Sequence, residues 1–174
     1  MAARRIVQLG DPVLRMVSRP VRPEEASAAL RDLEDTLAAF RQTHGFGRAI
    51  SAIQIGMDVR VVYMEIEAMR YGLINPVIVW SSPEKFIVWD DCFSFPDLMV
   101  HVKRHRAIRV RYMTRSGEER EFDAEGDISE LVQHELDHLD GILAVDRAID
   151  RDSLCTREEW FRRYGPGAQY DNPA

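Results

Sequence analysis

The stretch Gln133-His134-Glu135-Leu136-Asp137-His138-Leu139-Asp140-Gly141 constrains this chain more than any other. It contains His-Glu-x-x-His, a spacing that acquires chemical meaning on a helix. There, residues i and i+4 share a face, so His134 and His138 point the same way and can grip one metal ion. Glu135, beside the first histidine, can reach a water on that ion, which suggests metal-assisted hydrolysis. The flanking residues agree with a helix over 127–140. Ile128, Leu131, Val132, Leu136 and Leu139 recur at helical spacing. Asp127 and Glu130 have the spacing of a capping box, and Gly141 falls where a helix would stop. Two histidines at this spacing also occur on ordinary surface helices, so the rest of the chain must decide.

Two imidazoles leave a catalytic ion short of a third protein ligand. Cys92, in Trp89-Asp90-Asp91-Cys92-Phe93-Ser94-Phe95-Pro96, is the first candidate. A buried free cysteine is the plainer reading, and it suits Cys155, which has no histidine motif beside it. His44, His101 and His105 are alternative ligands, although His101 and His105 sit among Lys103, Arg104 and Arg106 as on a solvated strand face. The small, glycine-rich stretch 45–56 reads as a tightly packed loop; it lacks the Gly-Lys-Ser/Thr ending of a phosphate loop. Within it Gln54 is a polar residue between Ile53 and Ile55, by itself more a structural amide than a catalytic one.

Around these motifs the chain alternates between helix and strand signals. An irregular arm (1–23) precedes a helix from Glu24 to about Thr43, with Leu30, Leu33, Leu37 and Phe40 as its apolar stripe. Strands are expected over Val59–Glu65, Leu73–Val79, Lys85–Trp89 and Val100–Tyr112, the last turning through Ser116-Gly117 into Glu119–Phe122. Asn75-Pro76 suggests that the second of these lies at a sheet edge. A final helix is expected over Arg157–Tyr164, then a loose tail at 165–174. Strands grouped between helices indicate an α+β fold: small antiparallel or mixed sheets around the central metal-binding helix, with one helix near the N-terminus. The 174 residues fit a single catalytic domain, 1–174.

The net charge of −6 argues against nucleic-acid binding by bulk electrostatics. No apolar run approaches a membrane span, and the N-terminus has no signal-peptide h-region. Two cysteines make no disulfide framework, so the expected location is the cytoplasm, where a thiol stays free to bind metal.

The chain resembles the peptide deformylases. Residues 133–141 match that family's Gln-His-Glu-x-Asp-His-Leu-x-Gly in full. Asp90-Asp91-Cys92-Phe93-Ser94 corresponds to its Glu-Gly-Cys-Leu-Ser, and 47–56 to its Gly-x-Gly-Leu-Ala-Ala-x-Gln-Val/Ile-Gly. Gly10-Asp11-Pro12-Val13-Leu14-Arg15 resembles its N-terminal signature. The resemblance implies removal of the N-formyl group from formyl-methionyl peptides. It implies that Cys92, His134 and His138 hold one divalent ion, Fe²⁺ in the cell, with Zn²⁺, Ni²⁺ or Co²⁺ able to substitute. Glu135 would be general base and then acid; Gln54 and the Phe93 N–H would form the oxyanion hole. Arg104 and Asp137 would pair and fix a ligand histidine. Gly47, Ile50, Asp91 and Leu131 would contact the N-formylated peptide or small formyl-amide substrate, in a monomer or homodimer that meets neither nucleic acid nor membrane.

The departures from the family cluster around substrate recognition. Ala49 replaces a glycine, Asp91 replaces a glycine beside the ligand cysteine, and Met99 replaces an arginine near the peptide. Asp127 and Glu130 occupy positions where apolar residues would wall the pocket for the substrate's first side chain. Either they only cap the helix, or the pocket takes something more polar. Two other functions stay open at this point. A zincin-type metalloprotease would need a third ligand after the helix, where only Asp140, Asp146 or Asp150 could serve. A non-catalytic binding protein would retain the fold without turnover.

Overall fold

The structure is a computed structural model that describes residues 3–67 and 69–165. Pro23 opens α1 (Pro23–His44), where its missing N–H is no loss, and Gly45 ends the helix in the left-handed conformation. Leu30, Leu33 and Leu37 are fully buried. They pack with Ile50, Val61 and Tyr63, each such burial contributing about 1.5–3 kcal/mol. The strands follow as β1 (Ala49–Ser51), β2 (Val61–Ile66), β3 (Met69–Ser81), β4 (Lys85–Asp91), β5 (Leu98–His105), β6 (Ala107–Met113) and β7 (Glu119–Glu125). Then come α2 (Gly126–Leu139), β8 (Leu154–Thr156) and α3 (Arg157–Tyr164).

Two antiparallel sheets form, in the order β1-β2-β3-β6-β7 and β4-β5-β8. The α+β expectation holds, with three differences. The single strand expected over 100–112 is two strands in different sheets, because the chain bends at Arg106. Asn75-Pro76 does not mark a sheet edge; β3 runs through it in the sheet interior. Its first half pairs with β2 and its second half with β6, and the register shifts where proline has no N–H to give. The glycine-rich stretch is only partly loop, since β1 lies within it and Ala52–Ile55 forms a short 3₁₀ turn.

Helix α2 packs against strands of both sheets. Val132, Leu136 and Leu139 join Val62, Met64, Leu73, Ile108 and Val110 in one apolar cluster. Polar groups fix its position along the sheets. The Ser129 hydroxyl and Gln133 amide donate to the His105 carbonyl at 2.8 and 2.9 Å, and Gln133 Oε1 accepts from the His105 N–H at 3.0 Å. Gly141 ends the helical path as expected, with φ +71°; a Cβ there would lie 2.6 Å from the Arg15 carbonyl oxygen of the N-terminal arm. None of the described helices is long and apolar enough to cross a membrane. The tail expected to be loose lies, from residue 166 on, outside the described residues.

Candidate active site

The helical period brings His134 and His138 to one buried face of α2, and Cys92 reaches them from the turn after β4. Cys92 Sγ lies 3.2 Å from His138 Nε2, which lies 3.1 Å from His134 Nε2. The three ligand atoms fall within 4.8 Å of one another. A tetrahedral ion with bonds of about 2.0–2.3 Å sets its ligands only slightly farther apart, so the set fits a divalent metal. Burial raises the Cys92 thiol above its usual range. A thiolate there needs a cation facing it, which a metal provides. The sulfur also accepts from the Ser94 N–H at 3.4 Å.

A buried ion network orients this set. His134 Nδ1 lies 2.8 Å from Asp90 Oδ1, so its N–H donates to the carboxylate and Nε2 is left bare for metal. Arg104 holds the other Asp90 oxygen at 2.9 Å and Asp137 at 2.5 Å; Arg147 closes on Asp137 at 2.7 Å. Burial alone would raise the Asp90 carboxyl, but His134 and Arg104 outweigh it and hold it well below the carboxylate range. The expected Arg104–Asp137 pair therefore exists, but it acts one step removed: the group that touches the histidine is Asp90. Sequence reasoning missed Asp90, although alternation along β4 places Phe86, Val88 and Asp90 on one buried face. Asp90→Asn is expected to weaken metal binding about 10–100-fold, read by chelator competition, with the circular dichroism spectrum retained.

Glu135 is buried, and its carboxylate and backbone carbonyl both lie against the Ser51 hydroxyl, the carbonyl at 3.0 Å. Burial raises the Glu135 carboxyl, toward the range useful to a group that takes and returns a proton near neutral pH. Gln54 is buried too. Its Oε1 accepts from the Ser51 N–H at 2.9 Å, which turns Nε2 toward Cys92 Sγ and Ser94 Oγ, both at 3.5 Å. The Phe93 N–H donates to no group among the described residues. Gln54 Nε2 thus lies beside the sulfur, and the Phe93 N–H stays available to a ligand.

A cavity of about 640 Å³ opens from these groups. Gly47, Leu131 and Asp91 line it. Gly47 has φ +126°, and a Cβ there would lie 2.8 Å from the Phe93 ring. Ile50 does not line it: that side chain is fully buried in the α1 cluster, because β1 turns it away from the cavity. Asp91 adds no bare charge, since Arg157 at the start of α3 pairs with it at 2.5 Å. Met99 is buried with Trp89 and Trp160 and does not itself line the cavity. The capping box fails. The α2 N-cap is Glu125, without a side-chain cap; Asp127 reaches Arg48 at 2.8 Å, and Glu130 faces the cavity. Burial, then the nearby Asp90 carboxylate, push the Glu130 carboxyl well above its usual range.

The alternative ligands lie elsewhere. His44 stacks on Phe40, His101 on Trp89, and His105 bonds to the Ser82 carbonyl. Cys155 is half-buried beside the Trp160 cluster. Asp140 pairs with Arg60, Asp146 with Arg15, and Asp150 accepts from Ser153. Among the described residues, the metal-ligand cluster containing both helix histidines has Cys92 as its third member, which disfavours the zincin reading.

A family model described as polypeptide deformylase matches residues 3–153. The peptide deformylase of Bartonella tribocorum is 37% identical over 166 residues, covering 90% of this chain and 92% of that one. The crystal structure of peptide deformylase from Thermotoga maritima superposes with a TM-score of 0.78 at 32% identity, covering 86% of this chain and 100% of that one. The Met-Ala-Ser-bound class I type b peptide deformylase from Acinetobacter baumannii gives 0.74 at 30% identity, covering 84% and 98%.

Proposed function

This chain belongs to the peptide deformylase family, a family of metalloenzymes that hydrolyse N-formyl peptides, and from that premise we propose how its own residues divide the work. Cys92, His134 and His138 hold one divalent ion. We assign Fe²⁺ in the cell, with Zn²⁺, Ni²⁺ or Co²⁺ as substitutes, because one thiolate and two imidazoles suit all four. The ion supplies the Lewis acidity that activates water and polarises the formyl carbonyl. Glu135 takes the proton from the attacking water and returns it to the leaving amine nitrogen. Ser51 keeps its carboxylate aimed. Gln54 Nε2 and the Phe93 N–H donate to the carbonyl oxygen as it gains charge, a role in which one donor is worth about 2.7–4 kcal/mol. Gly47, Leu131 and Asp91 border the path of the peptide. The cytoplasm, where nascent chains carry N-formyl groups and thiols stay reduced, suits a thiolate ligand.

The observation that carries this reading is the Cys92, His134 and His138 ligand set at a cavity that Cys92 and His134 line together with Glu135 and Gln54. Metal-loaded protein is expected to release formate from formyl-Met-Ala-Ser and to leave the acetylated peptide intact. No formate release with one equivalent of metal bound would favour a binding protein instead.

A further inference from the structure

Five acidic side chains are buried among the described residues: Asp32, Asp90, Glu130, Glu135 and Asp137. Four have partners. Asp32 pairs with Arg4, Asp90 with His134 and Arg104, Asp137 with Arg104 and Arg147, and Glu135 with Ser51. Glu130, 8% exposed, accepts a hydrogen bond from no described residue. It is the fifth residue of α2, too far in to cap it. The two arginines nearest in role are engaged, Arg48 with Asp127 and Arg104 with Asp90 and Asp137. Leaving a buried carboxyl group without a donor is unfavourable, and the cavity is where the donor can come from.

We propose that Glu130 determines specificity for the substrate's first residue. Its carboxyl oxygen accepts a hydrogen bond from an N–H donor at the end of that side chain, so the enzyme takes formyl-lysyl and formyl-glutaminyl peptides as well as formyl-methionyl ones. The inference rests on the deformylase reading of the site.

The placement supports it. Glu130 lines the same cavity as Cys92, His134, Glu135 and Gln54. Its carboxyl oxygen lies within 4.8 Å of a His134 ring nitrogen and of an Asp90 carboxylate oxygen. A Lys or Gln side chain spans that distance from a formyl group lying at His134. Val88, Trp89 and Leu131 line the same cavity, offering apolar surface to the aliphatic stem. Sites built to hydrogen-bond a substrate group discriminate strongly against the analogue that lacks it.

The test compares kcat/KM for formyl-Lys-Ala-Ser, formyl-Gln-Ala-Ser and formyl-norleucyl-Ala-Ser, norleucine being an apolar match to lysine in length. The wild type is expected to use the lysyl peptide at least as well as the norleucyl one. Glu130→Leu is expected to lower that ratio about tenfold or more, mainly through KM. Glu130→Gln, which keeps size and polarity, is expected to retain use of the glutaminyl peptide and lose preference for the lysyl one. Binding of the deformylated Lys-Ala-Ser and norleucyl-Ala-Ser peptides by calorimetry is expected to follow the same order. A wild type that prefers norleucine tenfold, or a lysyl-to-norleucyl ratio unchanged in both variants, overturns the proposal. Formate release from formyl-Met-Ala-Ser is measured alongside: its absence strikes at the deformylase reading, whereas its presence with an unchanged ratio strikes at Glu130 alone.

Discussion

Cys92→Ala is expected to leave the purified protein without stoichiometric metal and to lower formate release from formyl-Met-Ala-Ser at least about a thousandfold. The sulfur lies 3.2 Å from His138 Nε2, and no other described side chain joins both helix histidines in a metal-ligand cluster. Two imidazoles alone bind a divalent ion weakly, and the ligand lost is the one that carries negative charge. The fold should survive. Cys92 belongs to an apolar cluster with Leu14, Phe86, Val88, Val100 and Val102, where a deleted sulfur costs on the order of 1 kcal/mol. Elemental analysis and a urea melt on one preparation separate the two effects. A variant that keeps one equivalent of metal would mean the ion is held by the helix and a carboxylate, as in a zincin.

Glu135→Gln should behave differently. The substitution preserves size and keeps a group that can bond with Ser51, so metal content is expected to stay at one equivalent. Turnover is expected to fall about 10²–10⁴-fold, in kcat more than in KM, because an amide cannot accept the water's proton. The contrast with Cys92→Ala is the informative part: one variant loses the ion and the chemistry together, the other the chemistry alone. A Glu135→Gln enzyme with undiminished kcat would remove this residue from proton transfer.

Much of this could be read before any coordinates. Periodicity located α1 and α2, and the i, i+4 rule put both histidines on one face, because these depend on neighbours in the chain. The thiol was legible as the first candidate among several ligands, and the resemblance singled it out. Elements whose meaning depends on distant partners were harder. Residues 100–112 look like one strand because their composition is uniformly strand-like; that Arg106 turns the chain from one sheet to the other depends on its bonds to Glu84 and Gly126. Ile50 sits in a motif beside the site, yet a short β1 sends it to the core.

The carboxylates make the division sharpest. Asp90, Asp91, Asp127 and Glu130 are alike as letters, and their spacing even offered a capping box. The sequence alone determined the helix, its metal-binding face and the chemistry of hydrolysis, since local spacing and side-chain type suffice for those. Tertiary structure decided which carboxylate orients His134, which pairs with Arg157 or Arg48 at the rim, and which is left in the cavity without a donor. An acidic group acquires its role from the charges and donors within a few ångströms of it, and those arrive from parts of the chain tens of residues away.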